Sequence, residues 1–361
     1  MTSGRAGRAD RVRPEIPAVR RPTVADVALR AGVSQSTASR VLSGRGYVSS
    51  DAAGRVRRAA ESLAYVPNDI ARSLKGRSTR VIGMVIDDLS QAFFAEVAAG
   101  IEAVLRTHGF TMILAGTEGI SANESDALER FAALRVEGIV LAPAAPESPS
   151  IVRRAIGRGI PIVEVDRRAA PGACDAVLIE NERGGYLATR HLVELGHRRI
   201  ALFGTPFTTG EGRLAGYRSA LTEAGIPFDE HLVSRVTFHP SEPEVAAGWL
   251  LDANPDATAI FATNNILTGG ALQALRIRGR RVPDECSLVG FDDVPWMSFV
   301  DPPVTTIAQP AREIGEQAAR LLLDRIDGRL AGPPTTRYLE PWLVVRGSTG
   351  PAARLARESV A

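Results

Sequence analysis

The stretch TVADVALRAGVSQSTASRVL, Thr23 to Leu42, reads as two short helices joined by a tight turn. Thr23 is a good N-cap, and Asp26 stands three residues on, at capping-box spacing. Val24, Val27, Ala28 and Ala31 fall on one apolar face at helical period. Gly32 ends that helix, since it takes the left-handed conformation without steric cost, and Ser34 caps a second one. Thr37, Ala38, Val41 and Leu42 form the buried stripe of the second helix, which leaves Gln35, Ser36, Ser39 and Arg40 on the opposite face. A small apolar underside beneath a face of hydrogen-bonding side chains is what a helix-turn-helix needs to read base edges. An ordinary helical hairpin inside a larger core fits the same pattern.

The distribution of charge bears on that choice. The 361 residues carry a net charge of only +2, but residues 1–80 hold 16 Lys and Arg against 6 Asp and Glu, and the rest hold 27 against 35. A basic head on an acidic body is the electrostatic footprint of a nucleic-acid-binding module joined to something else. The length calls for two or three units. The apolar runs are strand-length, so no membrane partner is expected. The basic N-terminus lacks an apolar signal core, and a cytoplasmic location is expected. Cys174 and Cys286 stand alone, without metal-ligand spacing, and read as reduced, buried thiols; no metal and no cofactor are expected.

Residues 1–21 read as a disordered arm, either adding phosphate contacts or without a role. A third helix starts at Ser49 or Ser50, with Val56, Ala59, Ala60 and Leu63 inward and Gly54 unexplained in its middle. The headpiece is assigned to 22–66. In YVPNDIARSLKGR, residues 65–77, Asn68 caps a helix too short to persist alone. From Arg80 onward strand-like and helix-like segments alternate, the pattern of parallel sheets with helices on both faces. The second series is read as beginning at Ala176–Ile179, with a late helix at Ala311–Ile326 and one last strand at Tyr338–Val345.

The headpiece motif, AYVPNDIARSLKGR, RVIGMVIDD, GHRRIALFG, RLAGY, SLVGFDD and PPVTTIAQP occur in order, and together they resemble the LacI/GalR family of bacterial transcription regulators from Thr23 to about Ser348. The resemblance implies an N-terminal all-α helix-turn-helix headpiece and an α/β periplasmic-binding-protein-like core of two doubly wound parallel-sheet subdomains. It implies a hinge-helix linker at 67–78 and a core at 79–348, with an N-subdomain of about 79–177 plus 308–337, a C-subdomain of about 178–307 plus 338–348, and a tail at 349–361. Gln35, Ser36 and Arg40 match base-reading positions; Thr23, Ser34, Ser39 and Asn68 match phosphate contacts and caps. Leu74 matches a residue that wedges between base steps, with Ala71 and Arg72 beside it. The implied partners are pseudo-palindromic operator DNA and a second copy of the chain.

Ligands in doubly wound folds sit beyond the carboxyl ends of the strands. Of the residues there, Arg213, Asn264 and Asp292 match effector-contacting positions in the family, and Phe94, Asp166 and Phe261 match pocket-lining ones. Trp296 follows Asp292-Asp293 closely. Carboxylates, amides and an arginine around aromatic rings suit a polyhydroxylated effector, a sugar or related metabolite. The core reading of the two phenylalanines at 93 and 94, and a capping role for the aspartates, stay open. The chain departs from many members at Asn264-Asn265, where Asn-Asp is common, and near Phe238, where a Trp is. The sequence thus reads as an effector-controlled, non-enzymatic transcription regulator, most simply a repressor; the alternative is a solute-binding protein without a DNA role.

Overall fold

The computed structural model describes residues 22–43, 47–65, 78–144, 149–236 and 242–352. The arm, the linker with Asn68, Ala71, Arg72 and Leu74, the Phe238 segment and the end of the tail lie outside the described residues. Two compact units divide at Ser78/Thr79.

In the first unit, α1 spans Val24–Ala31, α2 Gln35–Ser43 and α3 Ser50–Ser62. Its local chemistry is as read from sequence. The Thr23 hydroxyl accepts from the Asp26 amide at 3.3 Å, and the Asp26 carboxylate accepts from the Thr23 amide at 2.8 Å. Gly32 ends α1 at φ +61°, and Ser49 caps α3. Val27, Ala28, Ala31, Ala38, Val56 and Ala59 make the core. Of the stripe expected on α2 only Ala38 is enclosed; Thr37, Val41 and Leu42 are half-buried. So small a core leaves little margin, and each helix-propensity term matters. Nothing crowds Gly54, where an added Cβ would meet only the Arg58 guanidinium at 3.5 Å. Gly54→Ala is therefore expected to stabilise the headpiece by about 0.5–1 kcal/mol, read as a higher denaturation midpoint of the isolated transition in circular dichroism.

The second unit holds two six-stranded sheets. The first contains β1 Val81–Ile86, β2 Thr111–Gly116, β3 Gly138–Leu141, β4 Ile162–Val165, β5 Asp175–Ile179 and β11 Thr336–Leu339, in the order β11-β5-β4-β3-β1-β2, all parallel. The second contains β6 Ile200–Gly204, β7 Val233–Arg235, β8 Ala259–Ala262, β9 Ser287–Phe291, β10 Thr305–Ala308 and β12 Trp342–Val344, in the order β12-β10-β9-β8-β6-β7. Only β12 runs antiparallel to its neighbour. Both sheets are therefore doubly wound lobes. Helices α4 Ala92–Thr107, α5 Ser121–Ala133, α6 Pro149–Gly157 and α12 Ala311–Ile326 serve the first; α7 Asn181–Glu194, α8 Thr208–Glu223, α9 Pro243–Ala253, α10 Asn265–Ile277 and the short α11 Trp296–Phe299 serve the second.

Three sequence readings are corrected. The strand at 175–179 closes the first sheet rather than opening the second series, because its partners are β4 and β11. The last strand is two, β11 and β12, broken at Pro341, which has no amide to give a ladder. Thr305–Ala308, not read as a strand, is β10. The chain thus passes between lobes after β5, after β10 and after β11. Three crossings make a hinge.

His197, read as a loop residue, is buried. Its ring nitrogens lie 2.9 Å from the Thr258 hydroxyl, 3.0 Å from the Ser287 hydroxyl and 3.1 Å from the Gly350 carbonyl. It ties the segment at Gly350, after β12, to the second lobe, and burial holds its pKa below the usual value. Cys174 and Cys286 are free and buried, as expected. Burial, with Glu164 beside it, pushes the Cys174 thiol far up, and burial pushes Cys286 up to about 11. Neither thiol should react with a disulfide reagent at neutral pH until the protein unfolds, when both should titrate at once.

Candidate functional site

Two surfaces carry functional chemistry. On the first unit, Gln35, Ser36, Ser39 and Arg40 all stand exposed on α2. The turn that presents them is internally bonded. The Ser34 hydroxyl accepts from the Thr37 amide at 3.2 Å and lies within 2.9 Å of the Ser36 hydroxyl. Thr23 is engaged in its capping box. The helix therefore offers an amide, two hydroxyls and a guanidinium to a partner, on a rigid turn.

The second surface is the cleft between the lobes, where the carboxyl ends of both sheets meet. Asp87, Gln91, Phe93 and Phe94 come from beyond β1, and Asp166 and Arg167 from beyond β4. Thr205, Phe207 and Thr209 follow β6, Arg213 stands on α8, and Asn264 and Asp292 follow β8 and β9. Gln309, on a hinge crossing, completes the wall. The space these leave is about 50 Å³, against 300–1,000 Å³ for a typical ligand pocket. The lobes are closed on each other, and Arg167 of one lies 5.5 Å from the Phe207 ring of the other.

Charge in the cleft is matched by chains of contacts. Arg167 donates to Asp87 and to Asp166, each at 2.9 Å. Burial works against its charge, but the two carboxylates hold it firmly protonated. Asp87 feels burial more than it feels Arg167, so its carboxyl sits above the usual range. Asp292 accepts from the Asn265 amide at 2.9 Å, the Asn265 side chain at 2.8 Å and Gln309 at 2.5 Å. Asp166 and Asp292 both hold positive φ, +65° and +91°. Non-glycine residues rarely do, and such strain gathers at ligand sites.

Arg213 is the unusual cation. It is enclosed, donates to Asn181 at 2.9 Å and to the Thr263 carbonyl, and stacks 3.6 Å from the Phe291 ring centroid. Burial lowers its pKa, opposed by Asp292 and Asp166 acting through space. Its backbone is fixed by a close approach: a Cβ on Gly185 of α7 would collide with the Arg213 carbonyl, so only glycine fits there. Asp87 Oδ1 and Gln309 Oε1 are buried acceptors without a hydrogen-bond donor among the described residues. In native proteins such atoms ask for an explanation.

The structure brings Phe94, Asp166, Arg213, Asn264 and Asp292 to this cleft, with Phe93 edge-on to Phe94 at 5.2 Å. Asn264 also caps α10, accepting from the Leu267 amide at 2.8 Å. Phe261 is not brought there: it lies within β8, wholly enclosed in the core. Trp296 is not either; on α11 it packs against the second lobe's core near Gly269. Arg167, which the sequence places with Asp166 just past a strand, is brought there too. Asp87, Phe207 and Gln309 are residues that sequence reasoning missed, and Asp87 carries the signal that would have found it, a position just past a strand.

Comparison with known proteins covers both units. Residues 23–68 match the family model described as "Bacterial regulatory proteins, lacI family", and residues 189–349 match that of a periplasmic binding protein-like domain. The HTH-type transcriptional regulator DegA of Bacillus subtilis is 38% identical over 91% of this chain and 98% of its own. The solved complex of the transcriptional regulator CelR with cellobiose is 35% identical, covers 91% of this chain and 100% of that one, and superposes with a TM-score of 0.70. The Lac repressor dimer bound to operator and the anti-inducer ONPF is 27% identical, covers 92% and 100%, and gives 0.81.

Proposed function

The chain belongs to the LacI family of bacterial regulatory proteins, a ligand-controlled DNA-binding regulator, and on that premise we propose that it is a repressor whose cleft takes a sugar. The cleft carries this reading. Its polar groups are carboxylates, amides, hydroxyls and two arginines around Phe93 and Phe94, with acceptors awaiting donors. A neutral polyol satisfies both. Arg213 and Asp292 hold its hydroxyls, Asn264 and Asp166 add polar contacts, and Phe94 backs its ring. Its role is binding rather than catalysis.

On DNA, Gln35, Ser36 and Arg40 read bases, and Thr23, Ser34 and Ser39 meet phosphates. The linker carries Asn68, Ala71, Arg72 and the wedge Leu74. Two half-sites call for two copies. Exposed apolar side chains on each lobe support a homodimer: Leu89, Leu114 and Ile120 around the edge strand β2, and Trp249 on α9. Because the closed cleft has no room for a ring, a sugar binds only with the lobes set at another angle. Ligand occupancy thereby selects one lobe arrangement, and with it one spacing of the paired linkers.

Titration of DNA from the protein's own upstream region, by fluorescence anisotropy at several salt concentrations, tests this. Steep salt dependence with preference for one pseudo-palindrome, altered by a sugar that also raises the melting temperature, is the expected result. Tight sugar binding without any DNA sequence preference would favour the solute-binding alternative.

A further inference from the structure

Beside the closed cleft lies a groove of about 790 Å³, and the two share Asp166, Arg167 and Thr209 as a common wall. We propose that this groove is a second carbohydrate subsite, and that the effector is a neutral oligosaccharide with one ring in the cleft and the next in the groove. This rests on the sugar reading above and adds to it the size of the ligand and the residues that select it.

The groove is built from both lobes. Pro171, Leu178 and Tyr338 come from the first; Asn181, Tyr186 and Thr208 come from the second. Tyr338 sits on the edge strand β11 in register with Leu178 of β5. Side chains alternate along a strand. Its neighbour Arg337 reaches Gln317 of α12 on one face, so the Tyr338 ring stands on the other, 59% exposed. Tyr186 is held by a 2.7 Å hydrogen bond from its hydroxyl to Glu223. Two aromatic rings over an apolar floor of Leu178, Ile179 and Pro171 suit the apolar face of a sugar ring, and the polar rim suits its edge.

The charges exclude an anionic occupant. Arg167 is consumed by Asp87 and Asp166. Arg168 is consumed by Glu164, Thr336 and the Cys174 carbonyl. Arg183 lies over the Tyr186 ring, 5.6 Å from its centroid, with Glu180 and Glu182 on the same rim. Among the described residues that line the groove, no free cluster of cations awaits a phosphate or carboxylate, so the occupant is neutral. Continuity with the cleft runs through single residues. Asn181 lines the groove and accepts from Arg213 of the cleft at 2.9 Å, and Asp166 faces both spaces with its backbone held at φ +65°. When the lobes part, the Asp166–Thr209 wall is where a glycosidic link passes.

Calorimetric titration of the full chain with matched pairs tests the proposal: glucose and cellobiose, glucose and maltose, xylose and xylobiose, galactose and lactose. One disaccharide is expected to bind once per protomer, at least tenfold tighter than its monosaccharide. Tyr338→Ala, at an exposed edge position, is expected to remove that gain, and Tyr338→Phe to keep it. The melting temperature of each free variant reports that it folds. Monosaccharides binding as tightly as disaccharides, or a gain that survives both Tyr338→Ala and Tyr186→Ala, would overturn the second subsite and leave the sugar reading intact. Failure of every saccharide to bind the unmodified chain would overturn the sugar reading itself, and this proposal with it.

Discussion

Arg213→Ala is expected to yield a protein that holds its operator and no longer answers to its effector. The guanidinium is enclosed, stacked on Phe291, and bonded to Asn181 and the Thr263 carbonyl, with no carboxylate in ion-pair contact among the described residues. A buried charge without an ion pair costs stability. A fold keeps one where its donors are needed. Truncation removes the cleft's fixed fork of donors and leaves the buried Thr263 carbonyl without its partner, at about 1–3 kcal/mol. Effector affinity is expected to fall about 100-fold, equivalent to about 2.7 kcal/mol. Arg213→Lys should fare little better, because an ammonium neither stacks as a plane nor donates in a fork. Operator affinity measured without effector should stay within about threefold, since a residue of the cleft acts on DNA only through the lobe equilibrium. Unchanged effector affinity in both variants would remove Arg213 from the site.

Arg40→Ala is expected to abolish operator preference. Arg40 stands exposed on α2 beside Ser36 and Ser39, and its planar fork suits the two acceptors of a guanine. Loss of one such contact costs about 1–3 kcal/mol per half-site, and a dimer loses it twice. Affinity for the operator should approach that for a scrambled duplex, while the slope of affinity against salt stays nearly constant, as for a base contact. A loss shared equally by the operator and the scrambled duplex, with the slope reduced by about one, would instead make Arg40 a phosphate contact. Effector binding should be indifferent to this change, the mirror image of Arg213→Ala.

What the sequence disclosed follows the range of the forces involved. The capping box at Thr23 and Asp26 and the glycine stop at Gly32 are local chemistry, and they stand where they were read. The late helix at Ala311–Ile326 is amphipathic and strongly periodic, and its ends coincide with those read from sequence. The assignment of β5 to a sheet depends on pairing with β4 and with β11, the latter far along the chain, and no local pattern encodes which strands a strand will join. The partners of His197 are equally remote, at Thr258, Ser287 and Gly350. The break between β11 and β12, read through as one strand, has its local signal in Pro341.

The cleft divides along a similar line. Strands buried on both faces do not say which side chains meet a ligand. Position relative to the strand end does: Asp87, Asp166, Arg167, Asn264 and Asp292 all lie just past one, whereas Phe261 lies inside β8 and belongs to the core. Gln309 was quoted within a motif, and its role rests on where a hinge crossing brings it.

The coupling between effector and operator sites measures directly whether occupancy of the hinged lobes sets the grip on operator DNA. Once the effector is identified, its dissociation constant is measured with and without saturating operator, and that of the operator with and without saturating effector. Linkage requires both ratios to be equal, and a common factor of at least about 5 is expected, the low end of typical allosteric coupling. Ratios of one, with both ligands tightly bound, would contradict it.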